Sequence, residues 1–226
     1  MFTGLIEATG TILDVVPSRR DAGPTRMTIS TPALAPRLRI GDSVAVSGVC
    51  LTALDITHTT FSADLAEETL ARTTLSRLMP GTVVNLELPT PSGAPMGGHV
   101  VQGHVDGVGT LMAVDPVNPE DETTTDWRLR IAVPPELSRY IATQGSITVD
   151  GISLTVAGIV GDVVSVAIIP HTYAVTTIRT LRPGSSVNIE VDVLAKYAEK
   201  QALTRTGPAR IPQWTVTEEY LISNGY

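Results

Sequence analysis

The sequence predicts an all-β protein with a C-terminal α-helix, built as two tandem, pseudo-symmetric, six-stranded Greek-key β-barrels. Three observations carry this prediction. The chain repeats itself, each copy holds short β-rich runs between turn residues, and a helix-forming stretch lies outside both copies.

The repeat comes first because it settles the architecture before any local assignment. Gly4-Leu-Ile-Glu-Ala-Thr-Gly-Thr-Ile-Leu returns as Gly103-His-Val-Asp-Gly-Val-Gly-Thr-Leu-Met. Arg26-Met-Thr-Ile with Pro32 returns as Arg128-Leu-Arg-Ile with Pro134, and Ser43-Val-Ala-Val-Ser-Gly-Val-Cys-Leu-Thr as Ser146-Ile-Thr-Val-Asp-Gly-Ile-Ser-Leu-Thr. Thr69, Thr73-Thr74, Pro80-Gly81 and Val84-Asn-Leu-Glu are answered by Thr172, Thr176-Thr177, Pro183-Gly184 and Val187-Asn-Ile-Glu. The offset grows from 99 to 103 residues, and the four extra residues are expected in the acidic loop 116–126. Four matches in order establish a duplication.

In the first copy, residues 5–16, 27–31, 43–46, 52–56, 60–65 and 83–88 are rich in Val, Ile, Leu and Thr, with Gly, Pro and Asp between them. Such runs read as strands separated by turns. Six strands in a copy of this size suit a small closed barrel, because closure removes exposed sheet edges. Residues 33–38 and 136–143 read as short helices after a proline, and 68–78 as a helical turn ending before Pro80. Residues 193–203 form a good helix with Leu194, Tyr197 and Ala198 on one side, broken by Gly207-Pro208. Thr215-x-x-Glu218 and Asn224-Gly225 bracket a short final helix. The domains are therefore expected at 1–97, 98–192 and 193–226. The apolar stripe of the tail either packs on its own barrels or joins subunits.

Composition narrows the function classes. Hydrophobic residues at 42% and charged residues at 17% describe an ordinary globular chain. The net charge of −7 and 4% aromatics argue against a nucleic-acid partner. No apolar run reaches membrane-spanning length and no basic-then-apolar stretch opens the sequence, so neither a membrane span nor a leader is expected. Cys50 is the single cysteine, which suits a reducing cytoplasm. The four histidines and this cysteine show no metal-ligand spacing, so no metal is expected.

The copies differ where chemistry would be expected. Leu5 aligns with His104, Ser47 with Asp150, Cys50 with Ser153, and Pro89 with Asp192. The second copy thus gains an imidazole, two carboxylates and a hydroxyl. Each has a structural reading as well: Asp150-Gly151 as a hairpin turn, Cys50 as a small buried hydrophobe, Asp192 as a helix cap, Phe2 as part of a frayed terminus.

The residues resemble those of the riboflavin synthase family. The likeness rests on Met1-Phe2-Thr3-Gly4, Gly48-x-Cys50-Leu51-Thr52, Gly97-Gly98-His99-x-x-x-Gly103-His104-Val105-Asp106-Gly107, Val149-Asp150-Gly151-x-Ser153-Leu154-Thr155-Val156, Ile169-Pro170-His171-Thr172, Val187-Asn188-x-Glu190-Val191-Asp192 and residues 193–197. It implies two lumazine-binding barrels and a homotrimer held by C-terminal helices. It further implies a cofactor-free dismutation of two 6,7-dimethyl-8-ribityllumazine molecules into riboflavin and 5-amino-6-ribitylaminouracil, with no metal, no nucleic acid and no membrane, and with lumazine synthase as a possible partner.

For the site, the resemblance implies pterin-binding backbone at Gly4, Leu5 and Ile6, at Cys50, Leu51 and Thr52, and at Asp64, Leu65, Ala66, Glu67, Glu68 and Thr69. In the second copy it implies Gly103, His104 and Val105, then Ser153, Leu154 and Thr155, then Ile169, Pro170, His171, Thr172, Tyr173 and Ala174. His104 is the candidate for proton transfer, since an imidazole exchanges protons near neutral pH. Ser153 and Thr155 would contact or position the nucleophile, with Ser43 and Cys50 as first-copy counterparts. Asp150 and Asp192 would orient or polarise, and Phe2 would cover a bound ring. Gln144 stands where the family often has a lysine, and Leu65-Ala66-Glu67 replaces a methionine-containing version. The closest rival is a non-catalytic lumazine or flavin carrier. A flavin reductase barrel would need a following nucleotide-binding domain.

Overall fold

A computed structural model describes residues 1–17, 24–121, 124–204 and 223. The first copy holds β1 (Ala8–Val16), β2 (Thr25–Ser30), β3 (Ser43–Val46), β4 (Val49–Thr52), β5 (Thr60–Leu65), helix α1 (Glu67–Arg72) and β6 (Val83–Glu87). The second holds β7 (Gly107–Pro116), β8 (Trp127–Ala132), α2 (Pro135–Ser138), β9 (Ser146–Val149), β10 (Ile152–Val160), β11 (Val163–Ile168), α3 (Pro170–Val175) and β12 (Ser186–Val191). Helix α4 (Val193–Thr204) follows at once. The expected final helix around Thr215 and Asn224 lies outside the described residues.

Each copy makes one six-stranded antiparallel sheet with the same order, β4-β3-β6-β1-β2-β5 in the first and β10-β9-β12-β7-β8-β11 in the second. The second closes into a barrel because β10 continues past Thr155 and pairs with β11 from Val156↔Val166 to Val160↔Val163. The first is nearly closed: β4 stops at Thr52 and meets β5 only through the bridge Leu54↔Ser62. The expected strand 52–56 is therefore a single bridge, and Asp55 turns there at φ 41.

Strand alternation builds the cores. Along β8, Trp127, Leu129 and Ile131 point inward and the arginines between them outward. Ile12, Ile29, Phe61 and Leu86 fill the first barrel, and Leu111, Ile131, Ile147 and Val166 the second. Trp127 also stacks on Tyr173 of α3 at 3.7 Å between ring centroids and 6° between planes. β1 and β7 carry equivalent bulges at Leu13 and Met112.

Other expectations shift at element ends. Residues 5–7 precede β1 rather than joining it, 33–38 shrinks to the 3-10 turn Ala35–Arg37, and 136–143 to α2. Residues 68–78 split into α1 and the 3-10 turn Thr74–Arg77, where Thr73 caps the second piece through Leu75 N–H. The extra residues of the second copy are not all in the loop 116–126. The offset is already 102 at Arg26/Arg128, so three are gained there and the fourth arises between Pro32/Pro134 and Ser43/Ser146.

The two barrels meet across a polar seam with pseudo-twofold symmetry. The hairpins β3–β4 and β9–β10 turn on Ser47-Gly48 and Asp150-Gly151, all four residues at positive φ, as tight two-residue turns require. The turns abut: a Cβ on Gly48 would lie 2.7 Å from Gly151 N, and one on Gly151 2.7 Å from Gly48 N. Asn85 donates from Nδ2 to Asp150 O and Thr177 Oγ1, and accepts Thr177 N–H. Asn188 mirrors it, donating to Ser47 O and accepting Thr74 N–H.

Candidate functional site

The segments leading into β1 and β7 cross to the opposite barrel. A buried carboxylate holds each one. Glu87 accepts Thr3 N–H, Thr3 Oγ1–H and Gly4 N–H at 2.7, 2.8 and 2.9 Å. Glu190 accepts Gln102, Gly103 and His104 N–H at 2.8, 3.0 and 3.2 Å. The crossing is then pinned by Ser153 N–H to Gly4 O and Cys50 N–H to Gly103 O, both 2.8 Å. Gly4 and Gly103 sit at φ 76 and 78, where a Cβ would strike Ser153 Cβ at 2.6 Å and Cys50 Cβ at 2.7 Å. Glycine is required by both the turn and the close approach.

Two corresponding cavities result, each walled by both barrels. One, of about 370 Å³, is lined by Cys50, Ala66, Glu68, Thr69 and Arg72 from the first barrel and by Gly103, His104, Val105 and Asp106 from the second. The other, of about 210 Å³, is lined by Ser153, His171, Thr172 and Val175 from the second and by Gly4, Leu5 and Ile6 from the first. The backbone frame is alike and the side chains are not. Where the first cavity has Glu68, Arg72 and His104, the second has His171, Val175 and Leu5.

Behind Ser153 of the smaller cavity stands a group that the sequence reading left unassigned. His99 Nδ1 lies 2.7 Å from Ser153 Oγ, half-buried together with it. Burial pushes the His99 imidazole below its ordinary pKa of 6.5, while the charge of Asp192 pulls it the other way. Desolvation favours the neutral ring, whose Nδ1 lone pair can accept the Ser153 hydroxyl proton. Burial likewise raises the Glu87 carboxyl, and pushes Glu190 up to about 6 against its N–H donors and Lys196.

The proposed site residues divide accordingly. Cys50, Ala66, Glu68, Thr69, Gly103, His104 and Val105 come together in one cavity, and Gly4, Leu5, Ile6, Ser153, His171 and Thr172 in the other. Leu51, Leu65 and Leu154 point into the barrel cores, because strand alternation puts them on the opposite face from their neighbours. Thr52 and Thr155 share the face of Cys50 and Ser153 but lie two residues further along, paired with Ser43 and Ser146 outside both cavities. Asp64 is held by Arg26 at 2.6 and 2.9 Å, and Glu67 opens α1 toward solvent. Gln144 occupies a left-handed turn at φ 67 and bonds Val156 O. Ile169, Pro170, Tyr173 and Ala174 lie outside the cavity wall, Tyr173 being taken up by Trp127.

Three further residues sit outside both cavities. Phe2 lines neither cavity: it is buried against Ala45, Val101 and Cys50, behind the wall. Its backbone pairs with Val101, so the terminus is not frayed. Asp150 sits at the seam, where Oδ1 accepts Asn188 N–H at 2.8 Å and burial pushes its carboxyl up to about 7. It borders a separate seam cavity of about 570 Å³ with Ser47, Thr74 and Thr177. Asp192 caps α4, accepting Leu194 N–H at 2.9 Å, and reaches His99 only through its charge.

The sequence did hold a signal for the missed residues. Asn85, Glu87, Asn188 and Glu190 are polar, identical in both copies, and set in otherwise apolar strands. All four are buried. Among the described residues, no three His, Cys, Asp or Glu side chains converge as a metal-binding set, and no helix is long and apolar enough to cross a membrane.

Comparison with known proteins places these features in context. A family model described as the lumazine binding domain matches twice, at residues 3–89 and 102–192. The riboflavin synthase of Mycobacterium tuberculosis is 42% identical over 205 residues, covering 88% of this chain and 97% of that protein. That of Bacillus subtilis is 37% identical over 227 residues, with both chains covered completely. Among solved structures, LumP complexed with riboflavin is similar at a TM-score of 0.74 and 26% identity, over 84% of this chain and 99% of that one. LumP complexed with 6,7-dimethyl-8-(1'-D-ribityl) lumazine gives a TM-score of 0.72 over the same shares.

Proposed function

This chain belongs to the riboflavin synthase family of lumazine-binding repeat proteins, and on that premise we propose that it makes riboflavin from two molecules of 6,7-dimethyl-8-ribityllumazine. It is an enzyme that transfers a four-carbon unit from one lumazine to the other, releasing 5-amino-6-ribitylaminouracil. Donor and acceptor start at one oxidation level, so the exchange balances internally.

The observation that carries this reading is the pair of like-framed, unlike-lined cavities. A reaction between two identical heterocycles needs two similar binding frames and two different chemical environments. Holding both partners turns an encounter into a nearly intramolecular step. In the smaller cavity, Ser153 O–H donating to neutral His99 suits addition of an oxygen nucleophile at C7 or positioning of a water there. In the larger one, His104, Cys50 and Thr69 surround the space where a second ring would sit, and His104 suits removal of the C7 methyl proton from it. The carboxylate behind that wall, Glu190, holds its backbone by accepting Gln102, Gly103 and His104 N–H.

The finer expectations belong to the same proposal. The domains run 1–97, 98–192 and 193–226. Leu194 and Tyr197 are exposed on α4 of the single chain, which supports assembly of three chains through this helix. The productive pair of cavities would then lie between neighbouring subunits, in the cytoplasm, with lumazine synthase as a supplier of substrate. The carrier alternative is not favoured, because relatives at 36–42% identity that match 88–100% of this chain are riboflavin synthases while the LumP structures stand at 26%.

The test is direct. Purified protein given ribityllumazine alone should release riboflavin at half the molar amount of lumazine consumed. Binding without turnover would replace this reading with the carrier.

A further inference from the structure

We propose that Lys196 of α4 is a positioning residue for the segment that carries His104, acting through Asp106 and Glu190. The inference rests on reading the cavity beside Cys50 as a substrate pocket. It starts from a difference between the two copies.

In the first copy, Glu7 ties the leading segment to the end of β6: Oε1 accepts Leu88 N–H at 2.9 Å, and Oε2 takes the Arg37 guanidinium at 2.6 Å. In the second, Asp106 does the same for the end of β12. Its Oδ2 accepts Val191 N–H at 2.9 Å and its Oδ1 pairs with Lys196 Nζ at 2.7 Å. Each acidic residue thus has one backbone donor and one cation. The cation of the first copy sits in the barrel's own turn Ala35–Arg37, whereas that of the second comes from α4. In the corresponding part of the second copy, Arg139 faces α4 instead, 3.2 Å from Glu199. Among the described residues, the pairs Arg139–Glu199 and Lys196–Asp106 fasten α4 to the second barrel, and the latter ends on the residue two beyond His104.

The charges around Glu190 make this fastening matter to the pocket. Lys196 from α4 favours its ionised form, and Asp106 from the leading segment disfavours it. From β9, Thr148 offers only a hydroxyl, which goes to the main-chain oxygen of Glu190. Only the carboxylate can accept all three N–H groups of Gln102, Gly103 and His104 without competition from its own proton. A Lys196 that leaves its place raises the proton affinity of Glu190, loosens those three bonds, and frees the wall that carries His104. The cavity beside Cys50 consequently depends on how α4 is seated, whereas the cation that answers Lys196 in the first copy, Arg37, belongs to the barrel itself.

Amide NMR of the full chain reads Glu190 without reference to turnover. The amides of Gln102, Gly103 and His104 should share one titration step near pH 6. Lys196→Met should move that step up by about half a pH unit or more, and Lys196→Arg should restore it. Asp106→Asn should move it down, while Arg37→Met leaves it in place. The acid limb of kcat/KM for riboflavin formation should carry an inflection from this step, beside that of His99, and that inflection should follow the same shifts. An unmoved step in Lys196→Met overturns the inference; should that variant fail to fold, an unmoved or raised step in Asp106→Asn overturns it instead. A wild type that titrates as described yet makes no riboflavin would sink the functional reading and leave the Lys196 network standing.

Discussion

The Nδ1 atom of His99 and the Oγ atom of Ser153 share a 2.7 Å hydrogen bond between residues 54 apart in the chain. One comes from the linker between the barrels and the other from β10. Their meeting depends on Thr3, whose carbonyl accepts His99 N–H, and on Gly98, where a Cβ would stand 2.0 Å from that same oxygen.

His99→Ala should therefore lower turnover by about 10²–10⁴-fold, the scale of a lost general base. The acid limb of the wild-type kcat/KM profile should contain an inflection below pH 6.5, because burial lowers the pKa and protonation removes the acceptor. Steady-state kinetics on His99→Ala and His104→Ala check this. Full turnover in His99→Ala would reduce the bond to a structural one.

Gly48→Ala and Gly151→Ala should each destabilise the chain by at least about 1–3 kcal/mol, the cost of a non-glycine residue held in strained backbone. The added methyl also meets the facing turn's backbone nitrogen at 2.7 Å, and a backbone atom cannot rotate away. Urea unfolding measures the loss. Gly41→Ala is the control, since its Cβ would meet nothing within 4 Å and only the positive φ is charged against it.

Asp150→Asn should stabilise the protein at pH 8 and change little at pH 4. Burial raises the carboxyl from 3.8 to about 7 in the folded chain. Between those values the folded state binds a proton that the unfolded state has released. Stability is thus whole below pH 3.8 and falls as pH rises through 7. At about 1.4 kcal/mol per unit the full span is worth a few kcal/mol. Asn keeps an oxygen for Asn188 N–H, and Ser47 already fills this position in the first copy without a charge. Unfolding free energies of both proteins across pH 4–8 decide it; a constant difference would refute the assignment.

Asn188→Ala should strip partners from Thr74 N–H and Ser47 C=O, both buried at the seam. Each orphaned group costs roughly 1–3 kcal/mol. Asn85→Ala should cost a similar amount, through Thr177 and Asp150. Since the loss falls between barrels and not within them, calorimetry should show one broadened or two separate transitions in place of one. A single sharp transition at unchanged temperature would mean the seam carries little of the coupling.

Much of the fold was legible because its signals are local. Alternation along 60–65 and 127–132, the Ser47-Gly48 and Asp150-Gly151 turns, and the helix after Asp192 all rest on residues adjacent in sequence. The misreadings lie where a local pattern had two outcomes. Residues 52–56 look like a strand, but the turn at Asp55 leaves one bridge. The site was legible as a set of segments and not as two sets. Cys50 and His104 share a cavity, and Ser153 shares the other with Leu5, a division that aligning one copy on the other does not reveal.

By itself the sequence determined the duplication, the two six-stranded sheets, the helix that follows them and, through its motifs, the family. Each of these depends on periodicity and turn chemistry that a chain carries residue by residue. Only the tertiary structure decided that Gly4 and Gly103 lean on the other copy's strand, that His99 and not His104 meets Ser153, and that Asp150 serves the seam. Those relations are made by hydrogen bonds between residues 53 to 149 apart, across two barrels whose mutual placement is set by the abutting glycine turns. No pattern within either strand encodes that placement, because it comes into being only when two finished surfaces pack.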